Sequence, residues 1–269
     1  MRRLLVTLDV EEIDWGRPRP GSQWEPWRPS AEGLGLILPM LEQLGIVATL
    51  FCTASFARAR SELVRDAVAR NHEIASHGLD HRDDYAAMQP EAAWERLRSA
   101  RLRLEDVAGA AVRGLRTPRL APCAAAVVAE AGYAYDASPH PTWLGHGWRG
   151  LRTTRRPWLE AGVVCVPLST TPGLRLPVGW YVLRAFGVSL SALLARWAGV
   201  GTPWVHLYFH PWEASDLRPW LGAHPLARGT GPGWVTSLRR LLERVAPQLL
   251  PSTVGAAVEA WRADPLRGA

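Results

Sequence analysis

The stretch Leu4-Leu5-Val6-Thr7-Leu8-Asp9 decides the fold, because it is a short apolar run that ends at an acid. Such a run is typical of a buried strand in a parallel sheet. Further short apolar runs follow at residues 46–51, 72–75, 114–115, 133–135, 163–166 and 204–209. Segments with helical spacing separate most of them, and this alternation predicts a parallel α/β sheet, open or closed into a barrel. The chain length favours a compact βα barrel.

Capping residues and helical spacing place the predicted helices. Ser30 is a candidate N-cap for a helix that runs to about Leu44 and stops at Gly45. The other predicted helices are residues 61–70, a helix from Pro90 to near Gly109, and residues 121–131, 234–245 and 254–261, with a helix-rich segment at 177–201. A Pro- and Trp-rich loop is predicted from Gly16 to Pro29. Because no repeat or linker interrupts this pattern, residues 1–269 are expected to form a single domain.

Composition limits the classes of protein. The chain has 269 residues, 48% of them hydrophobic and 21% charged, which suits one globular α/β domain. The formal charge of +6 comes with arginines spread along the chain, so codon bias and attraction to anionic partners both stay open. No nucleic-acid-binding motif stands out, and a nucleic-acid partner is not expected. The three cysteines are widely spaced, which argues against a disulfide framework.

The N-terminus bears on localisation. About five residues separate Arg3 from Asp9, fewer than the roughly 7–15 apolar residues of a signal peptide. No run approaches the about 18 uncharged apolar residues of a transmembrane helix. We therefore expect a cytoplasmic protein, with the inner face of the membrane as a further option. Residues 177–201 are apolar and aromatic but interrupted by Arg184 and Arg196, so a peripheral membrane contact is the minority interpretation.

Polar residues recur where predicted strands end: Asp9, His77, Arg116, Asp136 and His210. In parallel α/β folds, ligand sites collect at this edge of the sheet. The coincidence predicts a functional site there.

Two of these positions form short motifs with metal-binding chemistry. His77 and His81 lie at i and i+4, which lets both imidazoles reach one cation. Asp9 and Glu11 lie at i and i+2 after the first strand and could serve as ligand and base. Glu12 remains an alternative ligand to Glu11.

Three further positions are weaker candidates on their own. His210 follows an apolar strand and is well placed as a general acid. Arg116 can orient a carboxylate by paired hydrogen bonds, although a surface arginine is the simpler interpretation without context. Asp136 is most simply a turn residue, and His206, within its strand, is expected to be structural.

These motifs in this order resemble the polysaccharide deacetylase family, carbohydrate esterases of NodB homology. The resemblance runs from Leu4 to about Glu213. It implies a distorted, incomplete (β/α) barrel of about seven strands, similar to a TIM barrel. Asp9-Val10-Glu11 and His210-Pro211-Trp212-Glu213, with residues 173–179, are similar to the exopolysaccharide-associated branch.

The resemblance implies roles for the site residues. Glu11, His77 and His81 would bind a divalent metal ion, most often Zn²⁺, with Co²⁺, Mn²⁺ or Ni²⁺ as options. Asp9 would be the base, Arg116 would orient it, and His210 would be the catalytic acid. The metal and a backbone N–H would hold the oxyanion.

The substrate implied is an N-acetylated glycan, polymeric or lipid-linked, from which acetate is removed. The alternatives are a deformylase or amide hydrolase acting on a lipid-linked or small molecule, and an inactive carbohydrate-binding homologue. Two positions depart from the common family pattern: Glu11 stands in place of a second adjacent Asp, and Arg119 in place of an aromatic residue.

Overall fold

The computed structural model describes residues 1–14, 24–144 and 147–264. Most of the loop predicted from Gly16 to Pro29 lies outside them. The strands are β1 Arg3–Val10, β2 Ala48–Cys52, β3 Glu73–Ser76, β4 Gly114–Leu115, β5 Tyr135–Asp136, β6 Trp158–Glu160, β7 Val163–Cys165, β8 Trp204–Phe209 and β9 Leu250–Pro251.

The strands form one curved sheet in the order β6-β7-β5-β4-β3-β2-β1-β8, with β9 paired to β1. All neighbouring strands are parallel except β6 and β7. No pairing joins β6 to β8 within the described part of the chain, so the sheet is an incomplete barrel. This confirms the predicted fold, and β1, β2, β3, β4, β5, β7 and β8 correspond to the predicted strands.

Helices accompany the sheet, most of them on its outer side. They are α1 Arg28–Gln43, α2 Ala54–Ala59, α3 Ser61–Ala69, α4 Pro90–Ala108, α5 Ala125–Glu130, α6 Gly147–Arg152, α7 Trp180–Ala198, α8 Arg218–Leu221, α9 Pro232–Val245 and α10 Val254–Ala263. Among the described residues, no helix combines the length and apolar character that crossing a membrane requires.

One predicted helix cap is wrong. α1 begins at Arg28, with proline in its first turn, so Ser30 lies inside the helix. The Ser30 hydroxyl instead donates to the backbone oxygen of Glu11 at 2.6 Å. Pro29 supplies the start of the helix because its fixed φ suits the first helical turn. Gly45, at φ +64°, follows the helix as predicted.

Alternation along β1 separates the helix side of the sheet from the barrel interior. Leu4, Val6 and Leu8 pack into the core beneath the helices. Leu5 faces the interior, where it joins a second apolar cluster formed by Phe51, Ala75, Tyr135, Ala137, Val164, Val166, Trp204, Val254, Ala257 and Val258. Because side chains alternate along a strand, Thr7 and Asp9 share the inward face with Leu5. The interior is therefore apolar near the start of β1 and polar near its end.

Candidate metal centre and active site

Three side chains converge at the carboxyl ends of β1 and β3. Glu11 follows β1, and His77 and His81 follow β3. The Nε2 atoms of His77 and His81 each lie 3.2 Å from Glu11 Oε2. One ligand atom from each residue falls within 4.8 Å of the others, and all three residues are buried. The sequence-predicted ligands are thus brought together.

In both histidines, the ring nitrogen that points away from Glu11 contacts an oxygen that orients the ring. His77 Nδ1 lies 2.8 Å from the backbone oxygen of Arg116, and His81 Nδ1 lies 3.0 Å from Asp14 Oδ1. Both acceptors favour a proton on Nδ1 and leave the Nε2 lone pair facing Glu11. Two imidazoles and a carboxylate with such outer partners suit a zinc-type ion with an open fourth position. The residues present therefore fit a divalent metal.

Glu12 is engaged elsewhere. Its Oε2 accepts from the Thr53 hydroxyl at 2.6 Å and its Oε1 accepts from the His81 backbone N–H at 2.8 Å. Glu11 Oε1 accepts from Trp212 Nε1 at 3.1 Å, which leaves Oε2 toward the histidines. Of the two carboxylates left open by the sequence, the structure places Glu11 in the cluster.

The electrostatics of the cluster favour a cation. Burial would raise the pKa of Glu11, but His81, His77 and His210 outweigh it and lower that pKa to about 2. Burial would lower the pKa of His81, but Glu11 and Asp14 outweigh it and raise that pKa to about 9. An ionised carboxylate in a buried site attracts positive charge, which a proton or a metal ion can supply.

Arg116 is fully buried and lies against Asp9. Its Nη1 lies 2.5 Å from Asp9 Oδ1, and its Nε donates to the Ala137 backbone oxygen at 3.1 Å. Its Nη2 lies 2.8 Å from His206 Nε2. A buried guanidinium with its donors satisfied holds a carboxylate in a fixed position. Without context the sequence favoured a surface arginine here; the structure places it in the interior.

His206 supports this pair from the barrel interior. Its Nδ1 lies 3.1 Å from the Pro167 backbone oxygen, so Nδ1 carries the proton and Nε2 accepts from Arg116. Burial, and next the charge of Arg116, hold the pKa of His206 well below its usual value. The expected structural histidine is therefore neutral and fixes the position of Arg116.

His210 sits at the end of β8 among aromatic rings. Its imidazole stacks on Trp212 at 4.8 Å between centroids and meets Trp180 edge-on at 5.3 Å. Its Nδ1 lies 3.6 Å from Glu213 Oε2. Burial lowers the pKa of His210, but Glu213, Glu11 and Asp9 together outweigh it and the pKa is raised. Such a residue can carry a proton near neutral pH.

One pocket of about 510 Å³ gives access to these groups. Its polar lining includes Asp9, Glu11, His77, His81 and His210. Its apolar wall includes Leu120, Leu144, Val178, Trp180, Tyr181 and Leu226. Few polar groups in a largely apolar concavity are typical of a ligand site.

Asp136 does not line this pocket. Its Oδ1 accepts from the backbone N–H of Ser138 at 2.8 Å and from the hydroxyl of the same residue. The turn that the sequence suggested for Asp136 is therefore what the structure shows.

Two polar residues near the cluster were not singled out from the sequence. Asp14 binds His81 and also pairs with Arg119, whose Nη2 lies 2.9 Å from Asp14 Oδ2. Trp212 binds Glu11 and was quoted only as part of a motif. Their position beside predicted site residues could have indicated them: Asp14 lies three residues after Glu11, and Trp212 lies two residues after His210. Arg119, where many relatives carry an aromatic residue, lines the pocket.

A family model described as polysaccharide deacetylase matches residues 30–135. Among solved structures, a protein of Mycobacterium smegmatis described as a polysaccharide deacetylase is 21% identical, with a TM-score of 0.69 over 98% of this chain and 92% of that one. Puue allantoinase is 19% identical, with a TM-score of 0.65 over 97% of this chain and 90% of that one.

A further structure is that of a Bacillus anthracis protein described as a CE4 family pseudoenzyme. It is 12% identical, with a TM-score of 0.56 over 95% of this chain and 64% of that one. At these identities the solved structures establish the shared fold. Together with the match over residues 30–135, they confirm the resemblance that the motifs indicated: the chain is similar to the polysaccharide deacetylases in its fold and over the matched segment.

Proposed function

We propose that the chain is a metal-dependent hydrolase that removes N-acetyl groups from amino sugars of a glycan. One observation carries the proposal: Asp9, Glu11, His77, His81 and His210 line a single pocket, with Arg116 directly behind Asp9. The polysaccharide deacetylase family, whose model matches residues 30–135, supports carbohydrate deacetylation as the class of activity.

Glu11, His77 and His81 would hold the metal ion. A divalent ion bound there polarises the acyl carbonyl and lowers the pKa of water. The donor set of two nitrogens and one carboxylate oxygen favours Zn²⁺, and Co²⁺, Mn²⁺ or Ni²⁺ remain options.

Asp9 would act as the base. It removes a proton from the attacking water as the new C–O bond forms at the acyl carbon. Arg116 holds Asp9 through the contact at 2.5 Å and keeps its carboxylate aimed at the pocket. Arg116 is in this account a positioning residue, itself fixed by His206.

His210 would act as the acid. As the C–N bond breaks, its imidazolium gives a proton to the departing nitrogen, so that the products are acetate and a free amine. Stacking on Trp212 and the carboxylate of Glu213 fix the ring and favour its protonated form.

The glycan and its location are part of the proposal. Trp180 and Tyr181 on the pocket wall offer flat apolar surfaces against which a sugar ring can pack. The motifs at Asp9 and His210 support the exopolysaccharide-associated branch, with a polymeric or lipid-linked substrate. The location that we propose is the cytoplasm, with the inner face of the membrane as a further option.

The test is acetate release from a panel of N-acetylated glycans by wild type, Asp9→Asn and Asp136→Asn. Asp9→Asn removes the base but leaves the metal ligands, so we expect normal metal content and a loss of turnover of about 10²- to 10⁴-fold. Asp136→Asn is the matched control, because asparagine can still accept from Ser138 and the residue lies outside the pocket. Full activity in Asp9→Asn would remove Asp9 as base.

A second candidate is an amide hydrolase for a small or lipid-linked molecule, including a deformylase. The fold shared with Puue allantoinase supports it. Formate release, or turnover of small amides alone, would favour this candidate over the glycan deacetylase. The fold shared with a pseudoenzyme makes an inactive homologue a third outcome, which absence of any turnover in metal-loaded protein would favour.

A further inference from the structure

The outward face of α7 is apolar. Phe186 is 60% exposed, Leu193 62% and Trp197 39%. Leu190, Leu193 and Trp197 follow one another at spacings of three and four, so they share one side of the helix. The opposite side is buried through residues such as Val182, Leu183, Ala192, Leu194, Ala195 and Ala198. The backbone of α7 is non-helical at Gly187, so Tyr181 and Phe186 belong to the segment before this break. We call these two exposed residues, together with Leu190, Leu193 and Trp197, the α7 face.

A surface helix normally carries polar residues on the side away from the core. α7 has apolar residues on both sides, and contiguous exposed apolar surface marks an interaction site. We therefore expect a partner to cover the α7 face.

The charge around this face indicates the kind of partner. Arg196 lies in the last turn of α7, and Arg244 of α9 donates from Nη1 to the Ser189 hydroxyl of α7 at 3.0 Å. Arg155 donates to the backbone oxygens of Ala198 and Val200, and Arg156 donates to that of Gly201. Both arginines are thus held at the C-terminal end of α7. Apolar residues beside arginines are the composition of a helix that lies in an anionic lipid interface.

The α7 face continues to the pocket. Tyr181, 52% exposed, lines the pocket, and its ring centroid lies 6.5 Å from that of Phe186. Leu144, 38% exposed, lines the pocket as well. A surface that covered the α7 face would therefore lie beside the pocket.

We propose that the α7 face docks on the surface of a membrane that contains anionic phospholipid and holds the pocket beside it. The docking of the α7 face on an anionic membrane rests on the apolar and basic residues alone. Its consequence, a lipid-anchored glycan as substrate, also rests on the proposed function. A second copy of the chain is the less favoured occupant, because two such faces would bring arginine-rich surfaces together.

The test is co-sedimentation with vesicles of phosphatidylglycerol and phosphatidylcholine, with pure phosphatidylcholine vesicles as reference. Wild type should bind the mixed vesicles, and binding should weaken as salt is raised. Phe186→Glu/Leu193→Glu should reduce binding by about tenfold or more, because charges enter the face that lies in the lipid. The matched control is Leu102→Glu: Leu102 is 43% exposed on α4 and should leave binding unchanged.

Binding of the double variant at the wild-type level would overturn the proposal, as would equal binding to vesicles without phosphatidylglycerol. Self-association of wild type without vesicle binding, lost in the double variant, would assign the face to a second copy and overturn it too. The result of the vesicle-binding test is independent of the result of the activity test. Asp9→Asn should bind vesicles like wild type, and Phe186→Glu/Leu193→Glu should keep its turnover of a water-soluble substrate.

Discussion

The histidines beside Glu11 are held on the ring nitrogen that points away from the cluster. For His81 the partner is Asp14, at 3.0 Å, and Asp14 is itself paired with Arg119. This partner fixes the ring and keeps Nε2 directed at Glu11. Outer partners of this kind raise the affinity of a metal site because they reduce the motion of the ligand.

We therefore expect Asp14→Ala to weaken zinc binding by about 10- to 100-fold. Zinc affinity measured by competition with a chromogenic chelator provides the readout. Asp84→Ala, an exposed acid in the same loop as His81, should bind zinc like wild type. Unchanged affinity in Asp14→Ala would show that His81 needs no such partner.

For single residues, the sequence predicts the side chains at the ends of strands but not the residues that hydrogen-bond to them. Asp9, His77, Arg116 and His210 stand out because each follows an apolar run. Asp14 is separated from His81 by 67 positions, so the contact depends on how β1 and β3 are placed in the sheet. For the same reason, nothing in the strand that contains His206 indicates its contact with Arg116.

Among the elements, α1 determines where the His210 segment lies. The helix packs closely on the 3₁₀ turn Pro211–Ala214, which follows His210. Gly33 makes this approach possible, since a Cβ there would overlap the backbone carbonyl of Pro211. A backbone atom cannot rotate away as a side chain can, so the clash must move the helix or the turn.

Gly33→Ala should lower the free energy of unfolding by about 1–3 kcal/mol or more and reduce turnover, because the turn beside His210 shifts. Gly35→Ala, in the same helix, meets nothing within 4 Å and should stabilise by about 0.5–1 kcal/mol. Urea unfolding of both variants measures the difference. Equal stability of the two would contradict the close approach of α1.

The elements that the sequence missed carry too weak a pattern to be recognised. The strands β6 and β9 have no buried residue, so neither shows the apolar run of a buried strand. α2 has six residues and follows directly after β2, where Thr53 accepts from Phe56 N–H and caps it. The seven predicted strands are buried along most of their length, including the two-residue strands β4 and β5.

Across the whole molecule, α10 is joined to the barrel through Glu73. Its Oε2 accepts from the Thr49 hydroxyl at 2.7 Å and from Gly255 N–H at 2.9 Å, and its Oε1 accepts from the Tyr135 hydroxyl at 2.9 Å. Burial raises the pKa of Glu73 more than these hydrogen bonds lower it. One carboxyl group thus links β2, β3, β5 and α10.

This raised pKa gives a pH-dependent prediction. The folded state holds the Glu73 proton more tightly than the unfolded state, so its contribution to stability is full at low pH. That contribution falls as pH rises above about 4.5 and through the folded pKa. Glu73→Gln cannot ionise, so its stability relative to wild type should rise across that window. Urea unfolding from pH 4 to 7 tests this, with the exposed Glu95→Gln as control; a constant difference would contradict it.

The central claim, a metal-dependent hydrolase, is tested most directly by measuring metal content and acetate release on the same samples before and after chelation. Wild type should hold about one divalent ion per chain, as three protein ligands and an open position require. Chelation should abolish acetate release and added zinc should restore it, whereas His77→Ala should stay metal-free and inactive. Undiminished acetate release from metal-free wild type would contradict the account.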